Sequence, residues 1–152
     1  MHVRIPKFRS RGCFFAALLS AVALAATPAA AGSLTVQLSG IKGAEGMLRC
    51  ALFDAGEGFP MITENARATR SISGAAQLQQ CLFEDLPAAD YAIAVVHDQN
   101  ANGKLDTNFF GIPKEGWGVS NNARPALRAP NFDEARFTLT GASHSIDVKI
   151  NY

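Results

Sequence analysis

The chain has 152 residues, of which 48% are hydrophobic and 18% are charged, and its formal net charge at pH 7 is +1. Four of the 14 basic side chains lie in the first 31 residues and none of the 13 acidic ones does, so the remainder carries a formal net charge of −3. An acidic balance without a basic stripe argues against nucleic-acid binding. The remaining chain of about 120 residues suffices for one domain with a core of its own.

The N-terminal segment predicts a cleavable signal peptide. Residues 1–11 are basic, residues 13–26 are apolar, and Ala29 and Ala31 then form an A-x-A pattern, which is the order typical of secretory signals. As a membrane anchor, an Ala-rich run of roughly 14 residues is too short, because about 20 are needed to span a bilayer. We therefore expect a new N-terminus at Gly32, a periplasmic or secreted location, and no stable membrane anchor after cleavage.

The cysteines predict one disulfide. Cys13 leaves with the signal, whereas Cys50 and Cys81 remain in a compartment where disulfides form and persist, and two cysteines allow one pairing. Closing this loop would stabilise the fold by about 3–4 kcal/mol if the bond acts by restricting the unfolded chain. Its Cα atoms should lie about 4.4–6.8 Å apart. Two separate buried thiols are the alternative.

The patterning beyond the signal is that of strands. Alternation of apolar and polar residues is typical of half-buried strands, and it recurs at 34–38, 48–52, 135–139 and 146–150. A nearly continuous β-forming run at 91–96 predicts a central strand, the more polar stretch 66–73 an edge strand, and 77–83 a further strand. With no sustained helical period, residues 32–152 are predicted to form a single all-β domain, an antiparallel β-sandwich of about seven strands.

The long irregular stretch from Asp98 to Phe132 is the part of the chain where we expect function, since such loops are uncommon in compact domains unless functional. It begins with a partial match to the calcium-loop template, with Gly103 at the sharp turn. The residues at ligand positions are Asp98, Asn100, Asn102, Lys104 (through its carbonyl oxygen) and Asp106.

The match to the calcium template is incomplete. Phe109 stands where the template has a bidentate Glu, and no helical pattern flanks the loop. With two carboxylates, the predicted Ca²⁺ site would be weak, with a dissociation constant of about 10⁻⁴–10⁻³ M. The alternative is a rigid metal-free turn in which Asp and Asn side chains accept hydrogen bonds from nearby backbone N–H groups. Ca²⁺ is the one cofactor that the sequence suggests.

The same region carries a family resemblance. The run from His97 to Asn108, with its Asp98-x-Asn100-x-Asn102-Gly103-Lys104-Leu105-Asp106 core, and its continuation through 111–116 to Asn122 resemble the exported bacterial family called domain of unknown function 2141. The likeness spans most of the chain after the signal. It implies a secreted β-sandwich but no catalytic residues, because the family has no established activity.

A second likeness concerns the fold alone. The turn from Leu86 through Pro87 to Tyr91 is similar to that of prealbumin-like and carboxypeptidase-regulatory-like sandwiches, although the glycine of their PG-x-Y pattern is missing here. The predicted sandwich is therefore prealbumin-like or immunoglobulin-like.

Residues 109–118 combine three aromatic side chains with three glycines. In one interpretation, Trp117 and Phe110 form an exposed stacking platform for a ligand. In the other, the aromatic side chains fold back and close the open end of the sandwich. The sequence alone leaves both open.

Two functional hypotheses follow. The leading one is an exported, non-catalytic module that binds an envelope or extracellular ligand or partner through residues 98–122. The alternative is a hydrolase-like enzyme in which His97 exchanges protons with Asp106 or Glu115, which requires hydrogen-bond proximity. His97 and Asp98 should not share a pocket, because neighbouring residues on a strand point to opposite faces.

Overall fold

The computed structural model describes residues 31–152, and the predicted signal peptide, apart from Ala31, lies outside the described residues. The elements, in chain order, are β1 (Gly32–Ser39), β2 (Met47–Phe53), β3 (Ala68–Ser73), β4 (Gln80–Leu86), β5 (Ala89–Asp98), β6 (Gly116–Val119), α1 (Phe132–Ala135), β7 (Phe137–Leu139) and β8 (His144–Lys149), with short 3-10 turns at Thr63–Asn65 and Ser120–Asn122. No helix in this part of the chain has the length and apolar character needed to cross a membrane.

The strands form two sheets. The smaller has the order β4-β1-β8, and the larger has the order β3-β2-β5-β6, with β7 paired to the first residues of β5. All pairings are antiparallel except that of β1 with β8. The predicted all-β sandwich is confirmed, as are the central position of β5 and the edge position of β3, and the parallel pairing of β1 with β8 is the one departure from the antiparallel prediction among the described strands. The strand that the sequence did not predict is β6, which lies inside the expected loop.

The main core lies between the sheets, and the alternating pattern of the sequence explains it. Leu34 and Val36 of β1 are fully buried. Gln37, which lies between Val36 and Leu38 in the strand, is exposed. At the start of β5, the buried Tyr91 donates a hydrogen bond from its hydroxyl to the Pro87 carbonyl oxygen at 3.0 Å. Such a bond to the backbone a few residues upstream fixes the entry of the chain into the strand, as in other sandwiches.

A disulfide joins the two sheets across this core. Cys50 lies on β2 of the larger sheet and Cys81 on β4 of the smaller one, and both side chains are buried. Their Cα atoms are 6.5 Å apart, within the expected range. The predicted pairing is therefore confirmed.

The larger sheet also carries a second core on its outer face. Phe53 of β2 is fully buried there and packs edge-to-face against Phe59, with 5.3 Å between the ring centroids. Phe59 packs in the same way against Phe132 of α1, with 6.0 Å between the centroids. Because segments on both sides cover the sheet, β5 is buried on both faces, which explains its nearly continuous apolar sequence. The outer face of β5 presents the small side chains of Ala92, which is fully buried in this second core, and Ala94.

Candidate functional site

The loop after β5 is organised by the buried carboxylate of Asp98. Its Oδ1 accepts a hydrogen bond from the backbone N–H of Asn102 at 3.0 Å, and its Oδ2 accepts one from Gly103 at 2.8 Å. The guanidinium of Arg49 lies 3.7 Å from Oδ2. Gly103 has a φ of +85°, a conformation that glycine adopts without steric cost. Asp98 thus holds the turn in one conformation.

Asp106 has a different environment. Its Oδ2 accepts from the side-chain amide of Asn100 at 2.7 Å and its Oδ1 from that of Asn102 at 3.0 Å. The side-chain oxygens of the two asparagines accept from the backbone N–H groups of Asn102 and Lys104. These are the successive Asx turns of the metal-free interpretation. No group of three or more His, Cys, Asp or Glu side chains within residues 31–152 is arranged to hold a metal ion, and Ca²⁺ binding here stays a prediction.

The residues of the enzyme hypothesis lie in separate places. The buried Glu115 accepts from the backbone N–H groups of Gln99 at 3.0 Å and Asp106 at 2.9 Å, so it connects the two ends of the loop. The buried His97 lies on the opposite face of β5, where its ring contacts the Tyr152 hydroxyl and donates to the Glu45 carbonyl oxygen at 2.9 Å. His97 therefore forms its hydrogen bonds with neither Asp106 nor Glu115.

The far part of the loop is a tight hairpin whose tip displays aromatic side chains. Thr107 pairs with Pro113, and Asn108 donates from its backbone to Ile112 at 2.8 Å. The Asn108 side chain also accepts from the backbone N–H groups of Phe110 and Ile112. Phe109 is 97% exposed and Phe110 is 82% exposed. The two phenylalanines therefore do not close the end of the sandwich.

An open apolar cleft of about 610 Å³ lies on the outer face of the larger sheet, over β5 and β6. Its floor includes Ala94, a small side chain on the outer face of β5, and the backbone of Gly118. The large hydrophobic residues of the lining that are exposed are Met61, Phe110, Ile112 and Leu127. Ligand sites in proteins have volumes of about 300–1,000 Å³ and are mostly apolar, so the cleft is of the size and character expected for a binding site.

Two arginines supply the charge of the cleft. Arg128 donates to both carboxylate oxygens of Glu134, at 2.8 and 2.7 Å, whereas Arg124 donates to the neutral side-chain oxygen of Asn151 at 3.1 Å. Among the described residues that line the cleft, none is acidic. The cleft is therefore apolar with a positive edge.

Comparison with known families assigns the chain. The profile of a family described as "Uncharacterized protein conserved in bacteria (DUF2141)" matches residues 36–147, most of the chain. The chain belongs to this family. The match includes residues 97–122, where the resemblance is most specific. It also includes the two other loop segments that line the cleft, residues 60–61 and 124–130. Comparison with curated proteins found no match, and comparison with solved structures found none either.

In this member of the DUF2141 family, Trp117 and Phe110 both line the cleft, and their role as a platform for a ligand stays a prediction. Trp117 is half-buried and packs against the outer core, so one part of the ring is structural. The sequence analysis missed Met61, Arg124 and Leu127, which come from two other segments. The signal that could have indicated this wall of the cleft is the run Arg124-Pro125-Ala126-Leu127-Arg128. In it, Leu127 lies beside a proline and between two arginines, with no strand or helix periodicity that would bury it.

Proposed function

We propose that this protein is an exported, non-catalytic binding module that takes a small apolar ligand in the cleft over β5 and β6. The observation that carries the proposal is the apolar cleft itself, with Phe110, Leu127 and Met61 exposed around it. Apolar surface removed from water contributes roughly 25 cal/mol per Å². A ligand that covers these side chains therefore gains affinity in proportion to the apolar area that it removes from water.

The binding role, rather than catalysis, is supported by the state of the titratable side chains. The carboxylate of Glu115 is occupied by two backbone N–H donors, and His97 is enclosed in the core on the other side of the sheet. Neither lines the cleft. Groups that perform acid–base catalysis have to reach the substrate within hydrogen-bond distance.

Export is supported by two features. The first 31 residues have the basic, apolar and small-residue order of a signal peptide. The Cys50–Cys81 disulfide is typical of compartments that keep thiols oxidised. Together they favour a ligand encountered in the periplasm or outside the cell.

The test uses Trp117, the single tryptophan of the chain, as a reporter inside the cleft. Titration of the protein with decan-1-ol, a neutral apolar probe, should change the Trp117 fluorescence saturably with one site per chain. Phe110→Ser should weaken binding several-fold, because it removes an apolar side chain from the lining.

Phe109→Ser is the matched control. It removes the same kind of side chain at the preceding position, which is also exposed but lies outside the cleft, and it should leave the decan-1-ol affinity unchanged. The proposal fails if the wild-type signal does not saturate, or if both variants weaken binding equally. It also fails if sedimentation shows a dimer at working concentrations that Phe110→Ser converts to a monomer, because a second copy of the chain would then cover the cleft.

A further inference from the structure

We propose that the ligand of the cleft is an anionic amphiphile, an apolar chain or ring that carries a carboxylate bound by Arg124. This inference rests on the proposed function, because it names the chemical class that the same cleft selects. Nothing in the family description assigns a ligand. The observation behind it is the unequal state of the two arginines that line the cleft.

The positive charge of Arg128 is compensated by an acidic side chain of the same domain. It forms two hydrogen bonds with the Glu134 carboxylate, which also accepts from the backbone N–H of Asn131 at 2.8 Å. The hydrogen bonds from Arg128, with that from Asn131, lower the pKa of Glu134 to about 2. Glu134 therefore stays anionic at neutral pH, and the pair presents little net charge to a ligand.

Arg124 has no such partner. Its hydrogen bond is to the uncharged side chain of Asn151, and it forms none of the ion pairs found within residues 31–152. A guanidinium has five N–H donors in a planar fork that fits a carboxylate. Donors of Arg124 therefore remain for a ligand, and the lining offers no acidic side chain to compete for them.

The surroundings of Arg124 favour an acidic group that is attached to an apolar body. Pro125 and Leu127 follow it in the wall, and Trp117 lies in the same cleft. A hydrogen bond between a guanidinium and a carboxylate is strengthened where apolar groups displace water. A purely polar anion would leave the apolar lining exposed, and a neutral apolar ligand would leave Arg124 without a counter-charge.

The test compares two probes with the same chain length, decanoate and decan-1-ol, by isothermal titration calorimetry at pH 7. The wild-type protein should bind decanoate about tenfold more tightly, and Arg124→Gln should remove this preference while the decan-1-ol affinity stays the same. Arg124→Lys should keep part of it. Arg136→Gln, which removes an exposed arginine outside the cleft, is the control and should keep the full preference.

The outcomes separate the two proposals. If wild-type protein binds both probes equally, or if Arg124→Gln still prefers decanoate, the acidic-ligand inference is overturned while decan-1-ol binding continues to support an apolar site. If neither probe binds, the proposed function fails and the inference fails with it. Phe110→Ser should weaken the binding of both probes, and a probe whose binding is insensitive to this change does not occupy the cleft.

Discussion

At the scale of single residues, the acidic side chains of the long loop act mainly on the backbone. Asp98 and Glu115 each accept two backbone N–H hydrogen bonds while buried, and so they satisfy donors that no strand satisfies. Side-chain oxygen atoms at alternating positions can accept hydrogen bonds from backbone N–H groups, and they can also coordinate a cation, because both partners carry positive charge. This explains why a turn held by Asp98 resembles a calcium loop in sequence.

Asp98→Ala should lower the free energy of unfolding by about 1.5–3 kcal/mol, since hydrogen bonds to charged groups are worth that much and two backbone donors lose their acceptor. Urea unfolding measures the difference. Asp106→Ala is the control and should cost less than Asp98→Ala, because the donors to Asp106 are exposed side-chain amides that water can satisfy. With millimolar Ca²⁺ present, we expect a modest rise in the Tm of the wild type that Asp98→Ala abolishes. No rise in the wild type, while Asp98→Ala still destabilises, would show that the loop is a metal-free turn.

At the scale of elements, the disulfide connects strands of different sheets, β2 of the larger and β4 of the smaller. Reduction of Cys50–Cys81 should lower the free energy of unfolding by about 3–4 kcal/mol, because the unfolded chain regains the freedom of a long loop. Urea unfolding with and without reductant measures this change. The double variant Cys50→Ala/Cys81→Ala should be insensitive to reductant, and a wild-type protein equally insensitive would contradict the prediction.

Glu134 in the short helix α1 should make a contribution to the free energy of unfolding that is lost in acid. The pKa of Glu134 is about 2 in the folded protein, below its ordinary value of 4.5, chiefly through its hydrogen bonds with Arg128. A lowered carboxyl pKa gives stability that is present above pH 4.5 and is lost as the pH falls toward 2. Unfolding measured at a series of pH values should show this loss, and Glu134→Gln should flatten it. Asp133→Asn, which removes an acid from the same helix, should leave most of the dependence in place.

Some elements of the fold could be predicted from the sequence, and others could not. The alternation in β1, β2 and β8 and the apolar run of β5 report burial directly, so these strands were predictable. The Gly-Trp-Gly-Val sequence of β6 has no alternation, and α1 is too short for a helical period, although its Asn131-x-x-Glu134 capping box is a local signal. The cleft could not be predicted, because Met61, Phe110 and Leu127 meet only in the folded chain.

At the scale of the whole molecule, the first strand of the described residues begins directly after the predicted signal. Gly32 is buried and is the first residue of β1, and Ala31 before it is exposed. We expect the exported protein to start at or near Gly32. N-terminal sequencing of the protein recovered from the periplasm or medium tests this, and an exported form that retains residues 1–20 would contradict it.

The parallel pairing of β1 with β8 also sets the order in which the molecule can fold. β1 is the middle strand of the smaller sheet, yet Leu34 pairs with His144, close to the end of the chain. Contacts so distant in sequence form late, because the intervening chain has to be ordered first. Because synthesis proceeds from the N-terminus, as would the export proposed above, Cys50 and Cys81 become available before β8 does. Oxidation can therefore precede completion of the smaller sheet, and the last strand to emerge is the one that closes the domain.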